Sequence, residues 1–335
     1  MKKRRETNKS DRGMVMALGF FDGVHKGHQA LLKKVIAIAQ NDHLESGVMT
    51  FVKHPLTLIF PTYTPDLITT NDEKIKTIHS FGIQHVFLDD FNEKLMNLSS
   101  ENFIRDYLLV KYNIKHLVVG FNYTFGYKGA GNVEMLKKYG KKYHFGVSVV
   151  PPCIIDGEPV SSTRIRGLIK AGKVDEIEPL LGRPYQIKGK IVKGKGLGHQ
   201  FNVPTANLKL KSKVILPSSG VYYTKVNLHD HVYDGLTNLG ANPTFKEHPY
   251  TIETFIYDFD ENIYNQTMAL TFVKKIRDEI KFDNIDKLKY FEYVMYSKKK
   301  YSAISIVERA ILRIKNNGNY DIVIDNMILK IIDKM

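Results

Sequence analysis

In the first half of the chain, short apolar runs alternate with stretches of helical spacing. Runs at 15–18, 48–51, 85–88, 117–119 and 147–150 predict buried strands. Between them, Leu31, Leu32, Val35, Ile36 and Ala39 are spaced to share one face of a helix. Strands alternating with helices predict an α/β unit with a parallel sheet covered on both faces. Ser161-Ser162-Thr163 offers an N-cap for a helix through Ile169 that Gly172 can end. The pattern changes near Leu181-Gly182-Arg183-Pro184. Strand-like runs at 185–192, 221–226, 232–239, 251–257 and 268–273 follow, separated by turn residues, and predict an all-β unit, a small barrel. From Ile285 the chain reads as helix, with Ala303, Ile304, Val307, Ile311 and Ile314 on one face. The predicted organisation is therefore 1–182, 183–318 and an extension, 319–335, to which no chemistry is assigned.

Composition narrows the function classes. A chain of 335 residues accommodates two ordinary domains, at roughly 100–200 residues each. No apolar stretch reaches the roughly 18 residues of a membrane span, and the basic start has no apolar run behind it, so neither a membrane partner nor a secretory signal is expected. The single cysteine, Cys153, excludes an internal disulfide framework and a cysteine-based zinc site, and fits a reducing cytoplasm. The net charge of +14 has three readings: nucleic acid, anionic ligands, or a lysine-rich solvated surface. The lysines are scattered and the aromatics do not interleave with a basic stripe, which argues against a nucleic-acid partner. Homo-oligomerisation is left open.

The most informative segment is Leu18-Gly19-Phe20-Phe21-Asp22-Gly23-Val24-His25-Lys26-Gly27-His28, at the junction of the first strand and first helix. Open α/β sheets bind ligands outside the carboxyl ends of their strands. Helix N-termini offer free N–H groups and partial positive charge, which suit phosphate. Two histidines flanking a glycine can put two imidazoles on one polyphosphate, while the glycine admits close backbone approach. The competing structural reading, two ordinary turn histidines, weakens once Gly-Phe-Phe-Asp-Gly-Val precedes them.

These residues resemble the nucleotidyltransferase motif of the bacterial bifunctional riboflavin kinase/FAD synthetases. The resemblance continues through Thr50-Phe51-Val52-Lys53-His54-Pro55, Val119-Gly120-Phe121-Asn122-Tyr123-Thr124-Phe125-Gly126 and Ser161-Ser162-Thr163-Arg164-Ile165-Arg166. It implies a Rossmann-like nucleotidyltransferase domain in which an FMN phosphate attacks the α-phosphorus of ATP and pyrophosphate leaves. That reaction asks for alignment of anions and neutralisation of charge, not a protein nucleophile. By the resemblance, His25 and His28 hold the ATP phosphates, with Gly19, Phe21, Asp22 and Gly27 in the same phosphate-binding turn. Asn122 contacts ATP or the incoming FMN, and Ser162, Thr163 and Arg166 bind pyrophosphate. His54 orders its loop, and Arg164 is divided between a ligand role and a surface charge.

The second half carries Gly194-Lys195-Gly196-Leu197-Gly198 and then Val203-Pro204-Thr205-Ala206-Asn207. Gly189 to Lys195 has P-loop spacing, but Gly196 replaces the required Ser or Thr and no helix follows, so that reading is rejected. On an extended strand the Thr205 hydroxyl and Asn207 amide point to one side, and both are oxygen ligands suited to Mg²⁺. Pro-Thr-Ala-Asn resembles the riboflavin kinase signature, as do Gly220-Val221-Tyr222, the 238–245 segment, Glu253, and 276–283. The resemblance implies a small β-barrel riboflavin kinase domain with a terminal helix. Gly194, Gly196 and Gly198 then cradle ATP phosphates, Thr205 and Asn207 bind Mg²⁺, Glu253 acts on the riboflavin hydroxyl, and Arg277 and Glu279 contact flavin. Leu197 and His199 stand where the family usually has arginines, and Asn202-Val203 stands in place of its Gly-Phe. Lys193 and Lys195 can compensate, though a lysine is a point charge and not a bidentate fork. A transferase with a weak or lost kinase, and a non-catalytic flavin- or RNA-binding regulator, remain the alternatives; paired phosphate-binding histidines argue against the regulator.

Overall fold

The computed structural model describes residues 12–60, 62, 65–194, 205–241, 250–257 and 259–278. Contacts divide the chain into two units. One holds the chain up to Arg166 together with Pro179–Gly182; the other holds Gly167–Glu178 and the chain from Arg183 onward.

The first unit is built on a parallel sheet of β1 (Met14–Leu18), β2 (Glu45–Phe51), β3 (His85–Asp89), β4 (Ile114–Gly120) and β5 (Gly146–Val150), in the order β3-β2-β1-β4-β5. Every residue of β1 is buried because the strand is covered on both faces. Val15 and Ala17 join Val48, Val118 and the helix residues Leu31, Leu32, Val35 and Ala39 on one side. Met14, Met16 and Leu18 join Leu117, Val119, Phe103, Ile104, Leu108 and Leu136 on the other. The helix Lys26–Asn41 thus buries four of the five residues of the stripe read from its sequence, with Ile36 partly buried beside them. Each such buried Val, Leu, Ile, Met or Phe side chain stabilises the fold by about 1.5–3 kcal/mol. A short hairpin, β6 (Ile154–Ile155) with β7 (Glu158–Pro159), leads to the helix Ser162–Lys170. The Ser161 hydroxyl caps that helix by accepting from the Arg164 amide at 3.2 Å. Beyond its last residue, Gly172 takes φ +73°, a conformation that favours glycine.

The second unit is a closed barrel of six described strands: β8 (Gln186–Val192), β9 (Thr205–Leu210), β10 (Gly220–Leu228), β11 (His231–Ala241), β12 (Tyr250–Ile256) and β13 (Thr267–Arg277). Five match the expected runs, and Thr205–Leu210 adds the sixth. Alternation is clear in β8 and β9, where Ile187, Ile191, Ala206 and Leu208 point inward. Inside the barrel three buried hydroxyls satisfy one another: Thr237 Oγ1 lies 2.9 Å from Thr224 Oγ1 and 3.0 Å from Thr254 Oγ1. Buried polar groups persist in cores when paired in this way. The expected terminal helix and the 319–335 extension lie outside the described residues. Among the described residues, no helix is long and apolar enough to cross a membrane.

Gly126 fixes the loop that leaves β4. Its φ is +73°, and a Cβ there would lie 2.6 Å from Ser100 Cα. Gly126→Ala is expected to destabilise the first unit by about 2–4 kcal/mol, combining left-handed strain with overpacking. Urea unfolding measures this, and an unchanged midpoint would contradict the packing argument.

Candidate active site

Four of the five parallel strands deliver the motif segments to one edge, since parallel strands all end on the same side. The 19–25 turn follows β1, the 52–55 turn follows β2, Phe121–Gly126 follows β4, and Ser161–Arg166 comes after β5 and its hairpin. Strand order reverses between β1 and β4, so the β1 and β4 loops flank the switch-point crevice.

The turn after β1 has an unusual backbone. Phe21, Gly23 and Val24 have φ of 57°, 78° and 45°. A β-branched residue at positive φ costs about 1–3 kcal/mol and persists only when its surroundings over-determine it. Asp22 supplies that determination. Its carboxylate is 2% exposed, accepts from the Ile68 amide at 2.9 Å and the Thr69 amide at 3.3 Å, and pairs with Arg166 Nη2 at 2.6 Å. The Gly23 amide donates to Thr69 Oγ1, and the Ser162 hydroxyl donates to the Asp22 carbonyl at 3.0 Å. Arg166 Nε also donates to the Asp66 carbonyl. Asp22 and Arg166, both read from sequence as phosphate contacts, are thus spent in large part on each other.

His25 is the N-cap of the first helix, and its Nδ1 accepts from the His28 amide at 3.3 Å. That bond assigns the ring proton to Nε2. His25 and His28 stack at 3.7 Å between centroids, and Phe21 lies 5.0 Å from His28. A side-chain carbon at Gly27 would sit 3.1 Å from the His25 ring, so glycine leaves space for the stack. His28 Nδ1 is buried without a hydrogen-bond partner. Burial pushes His25 from its ordinary value down to about 4, with Arg166 adding to the fall. Burial, His25 and Lys74 push His28 well below the ordinary imidazole range. Both rings are therefore neutral near pH 7. Arg166 acts on His25 and Lys74 on His28, so each ring feels the field of a cation.

His54 Nδ1 accepts from the Leu56 amide at 3.2 Å, and its carbonyl accepts from Thr57, so it orders its own loop. Arg164 donates to the Ile155 and Glu158 carbonyls and clamps the β6–β7 hairpin. Asn122 lines a cleft of about 430 Å³ with Phe121, Tyr123, Thr124, Lys137 and Val149. Ser162 and Thr163 stand in the first turn of their helix, and Gly19 packs against the Phe21 ring.

Sequence reading passed over the segment from Ile68 to Lys74, which braces this edge. Thr70 and Glu73 form a reciprocal capping box that starts the helix Asn71–Ser80. Asn71 Nδ2 donates to the Val52 carbonyl at 2.8 Å. Lys74 is 2% exposed, and its ammonium donates to the Phe20 carbonyl, Thr50 Oγ1 and the Phe51 carbonyl. The Thr-x-x-Glu signature was legible as a helix start; the burial of Lys74 was not.

In the barrel, Asn238 on β11, Glu253 on β12 and Asn207 on β9 occupy one cross-strand row, and Asn207 pairs onward with Val192 on β8. Thr205 lies two residues along β9 on the same face as Asn207. A Cβ at Gly194 would fall 2.3 Å from Asn207 Nδ2, so the backbone there approaches the amide closely. Arg277 ends β13 opposite Val221 and donates to the Asp278 carbonyl. Gly196, Gly198 and Glu279 lie outside the described residues, as do Lys195, Leu197, His199 and Asn202.

A parallel sheet with a histidine-bearing strand-to-helix turn at its switch point, followed by a closed barrel, is the architecture of a nucleotide-dependent transferase of two units. Residues 7–164 match the FAD synthetase family and residues 181–291 the riboflavin kinase family. The chain is 36% identical over 280 residues to the bifunctional riboflavin kinase/FMN adenylyltransferase of Bacillus subtilis, covering 82% of this chain and 87% of that protein. Against the Escherichia coli enzyme of the same name it is 32% identical over 278 residues, covering 83% and 88%. A crystal structure described as a macrolide-efflux protein from Streptococcus pneumoniae shares the fold at TM-score 0.78 and 33% identity, over 85% of this chain and 93% of that one. The chain belongs to the bifunctional riboflavin kinase/FMN adenylyltransferase family.

The depressed histidine has a stability consequence. Unfolded His25 takes up a proton below its ordinary 6.5, whereas folded His25 resists until about 4. Stability is therefore full above pH 6.5 and falls as pH drops to about 4, by on the order of 3 kcal/mol from this residue. His25→Asn keeps a side-chain acceptor for the cap and removes the titration. Urea unfolding at pH 7.5, 5.5 and 4 should show a shallower acid loss in the variant, and equal losses would refute the account.

Proposed function

We propose that the first unit adenylylates FMN to FAD and the barrel phosphorylates riboflavin to FMN, with ATP as the donor in both reactions. The observation that carries the first assignment is the stacked, neutral His25–His28 pair at the sheet's switch point, with Arg166 and Lys74 behind it. An FMN phosphate oxygen bonds to the α-phosphorus of ATP, the bond to the bridging oxygen breaks, and that oxygen leaves with pyrophosphate. The Nε2–H of His25 donates to a phosphate oxygen, and His28 holds the same chain from the next turn. Anionic phosphates raise both histidine pKa values, so protonation strengthens the grip as charge builds. Asn122 orients ATP or the entering FMN from the β4 loop. Ser162, Thr163 and Arg166 receive the leaving group at a helix N-terminus. In this reading Asp22 keeps Arg166 aimed. Gly19, Phe21 and Gly27 shape the turn.

In the barrel, the row of Asn207 and Glu253 carries the reading. The oxygens of Thr205 and Asn207 form a hard donor set that fits Mg²⁺, which would neutralise phosphate charge there. Glu253 takes the proton of the riboflavin 5′-hydroxyl as that oxygen attacks the γ-phosphorus and ADP departs. Gly194 brings backbone close to the phosphate chain, and Arg277 contacts the flavin. We place the functional boundary at 182/183. The partners are small molecules, and the proposed location is the cytoplasm.

His28→Ala is expected to lower FAD formation from FMN about 10²–10³-fold, the usual cost of losing one oriented donor at a charged transition state. FMN formation from riboflavin should stay within twofold. Glu253→Gln should do the reverse. Chromatographic separation of the flavins reads both, and wild-type FAD synthesis in His28→Ala would sink the first assignment.

A further inference from the structure

Lys74 belongs to no motif that the sequence offered, yet it sits where the transferase turn is anchored. Lys74 is 2% exposed, and among the described residues its ammonium has no carboxylate in hydrogen-bond contact. It donates at 3.2 Å to the Phe20 carbonyl at the end of β1, at 3.1 Å to Thr50 Oγ1 and at 3.3 Å to the Phe51 carbonyl at the end of β2. Thr50 itself donates to the same Phe20 carbonyl at 2.8 Å. The ammonium also lies 4.4 Å from the centre of the Phe20 ring. A buried cation is costly unless its surroundings repay it, and a neutral side chain could fill the same space. These three acceptors lie on the two strand ends from which the site's loops depart.

We propose that Lys74 is a positioning residue of the adenylyltransferase site: its ammonium locks the Phe20–Phe21 turn that carries His25 and His28, and it supplies fixed positive charge for the ATP phosphates. The proposal rests on the function assigned above to the first unit. Burial lowers the lysine to about 8, while Asp22 holds it up. The groups facing it are Asp22, His28 and His54, with Arg166 bound to Asp22. Both histidines are displaced toward acid, so an alkaline limb in the transferase profile is assigned to Lys74. Loss of its charge above pH 8 weakens capture of ATP, and bound phosphates move the limb upward.

The test uses the full chain, with riboflavin phosphorylation as an internal control. Lys74→Met should cut kcat for FAD formation at least 30-fold and raise the KM for ATP, with FMN formation within twofold. Wild-type kcat/KM for ATP should fall above about pH 8, and kcat should fall only at higher pH. Lys74→Arg should keep part of the rate and lose the limb. Transferase kinetics of Lys74→Met within threefold of wild type overturn the proposal. If that variant fails to fold, a wild-type kcat/KM that is flat from pH 7 to 9.5 overturns it equally. Wild-type protein that makes no FAD from FMN and ATP refutes the functional assignment itself, and the Lys74 proposal falls with it.

Discussion

The Asp22 carboxylate takes its hydrogen bonds from two stretches of chain that are remote from it in sequence. The Ile68 and Thr69 amides come from the entry to one helix, and the Arg166 guanidinium comes from another. A buried ion pair contributes little net stability against an apolar replacement, but breaking one partner costs about 3–5 kcal/mol because the other charge is stranded. The pair therefore acts less as glue than as a registration device. It holds a turn with three positive φ angles, one of them at a valine, in a conformation that the isolated segment would not keep. The stacked histidines, the helix cap and the aim of Arg166 all follow from that turn.

At this edge two cations, Lys74 and Arg166, stand against the Asp22 carboxylate. Lys74 is buried, Arg166 is held beside the turn, and His25 and His28 are stripped of their protons by burial before either cation adds its share. Neutral imidazoles cost less to bury than imidazolium ions, and two imidazolium ions stacked at 3.7 Å would repel strongly. In the proposed reaction an arriving polyphosphate would reverse that balance and recruit protons where charge accumulates. Preorganised donors of this kind do not have to reorganise during the reaction.

The barrel solves a different problem. Its polar row of Asn238, Glu253 and Asn207 spans three neighbouring strands, so hydrogen-bonded register alone sets their relative positions. Inside, the Thr224–Thr237–Thr254 chain lets three hydroxyls replace apolar side chains without stranding a donor. Much of the site's interest lies in residues such as Thr205 and Asn207 that were legible as an i, i+2 pair. The approach of Asn207 to Gly194 depends on β8 and β9 being adjacent in the closed sheet.

The sequence by itself determined the alternation of strands and helices in the first half and five of the six described barrel strands after Arg183. Periodicity and turn chemistry are local, and continuous apolar runs at 15–18 and 117–119 leave few places for a strand but the middle of a covered sheet. It also placed His25, His28, Ser162 and Thr163 on helix-opening turns, because capping residues are written next to the helices they begin. Only the tertiary structure decided that Asp22 meets Arg166 from 144 positions away. It alone put Lys74 beneath Phe20, and lined Glu253 up with Asn207 across two strands. Those pairings join residues far apart in the chain. Their partners are chosen by strand order, register and burial, and a charged residue destined for the interior reads in sequence like any other lysine or aspartate on a solvated face.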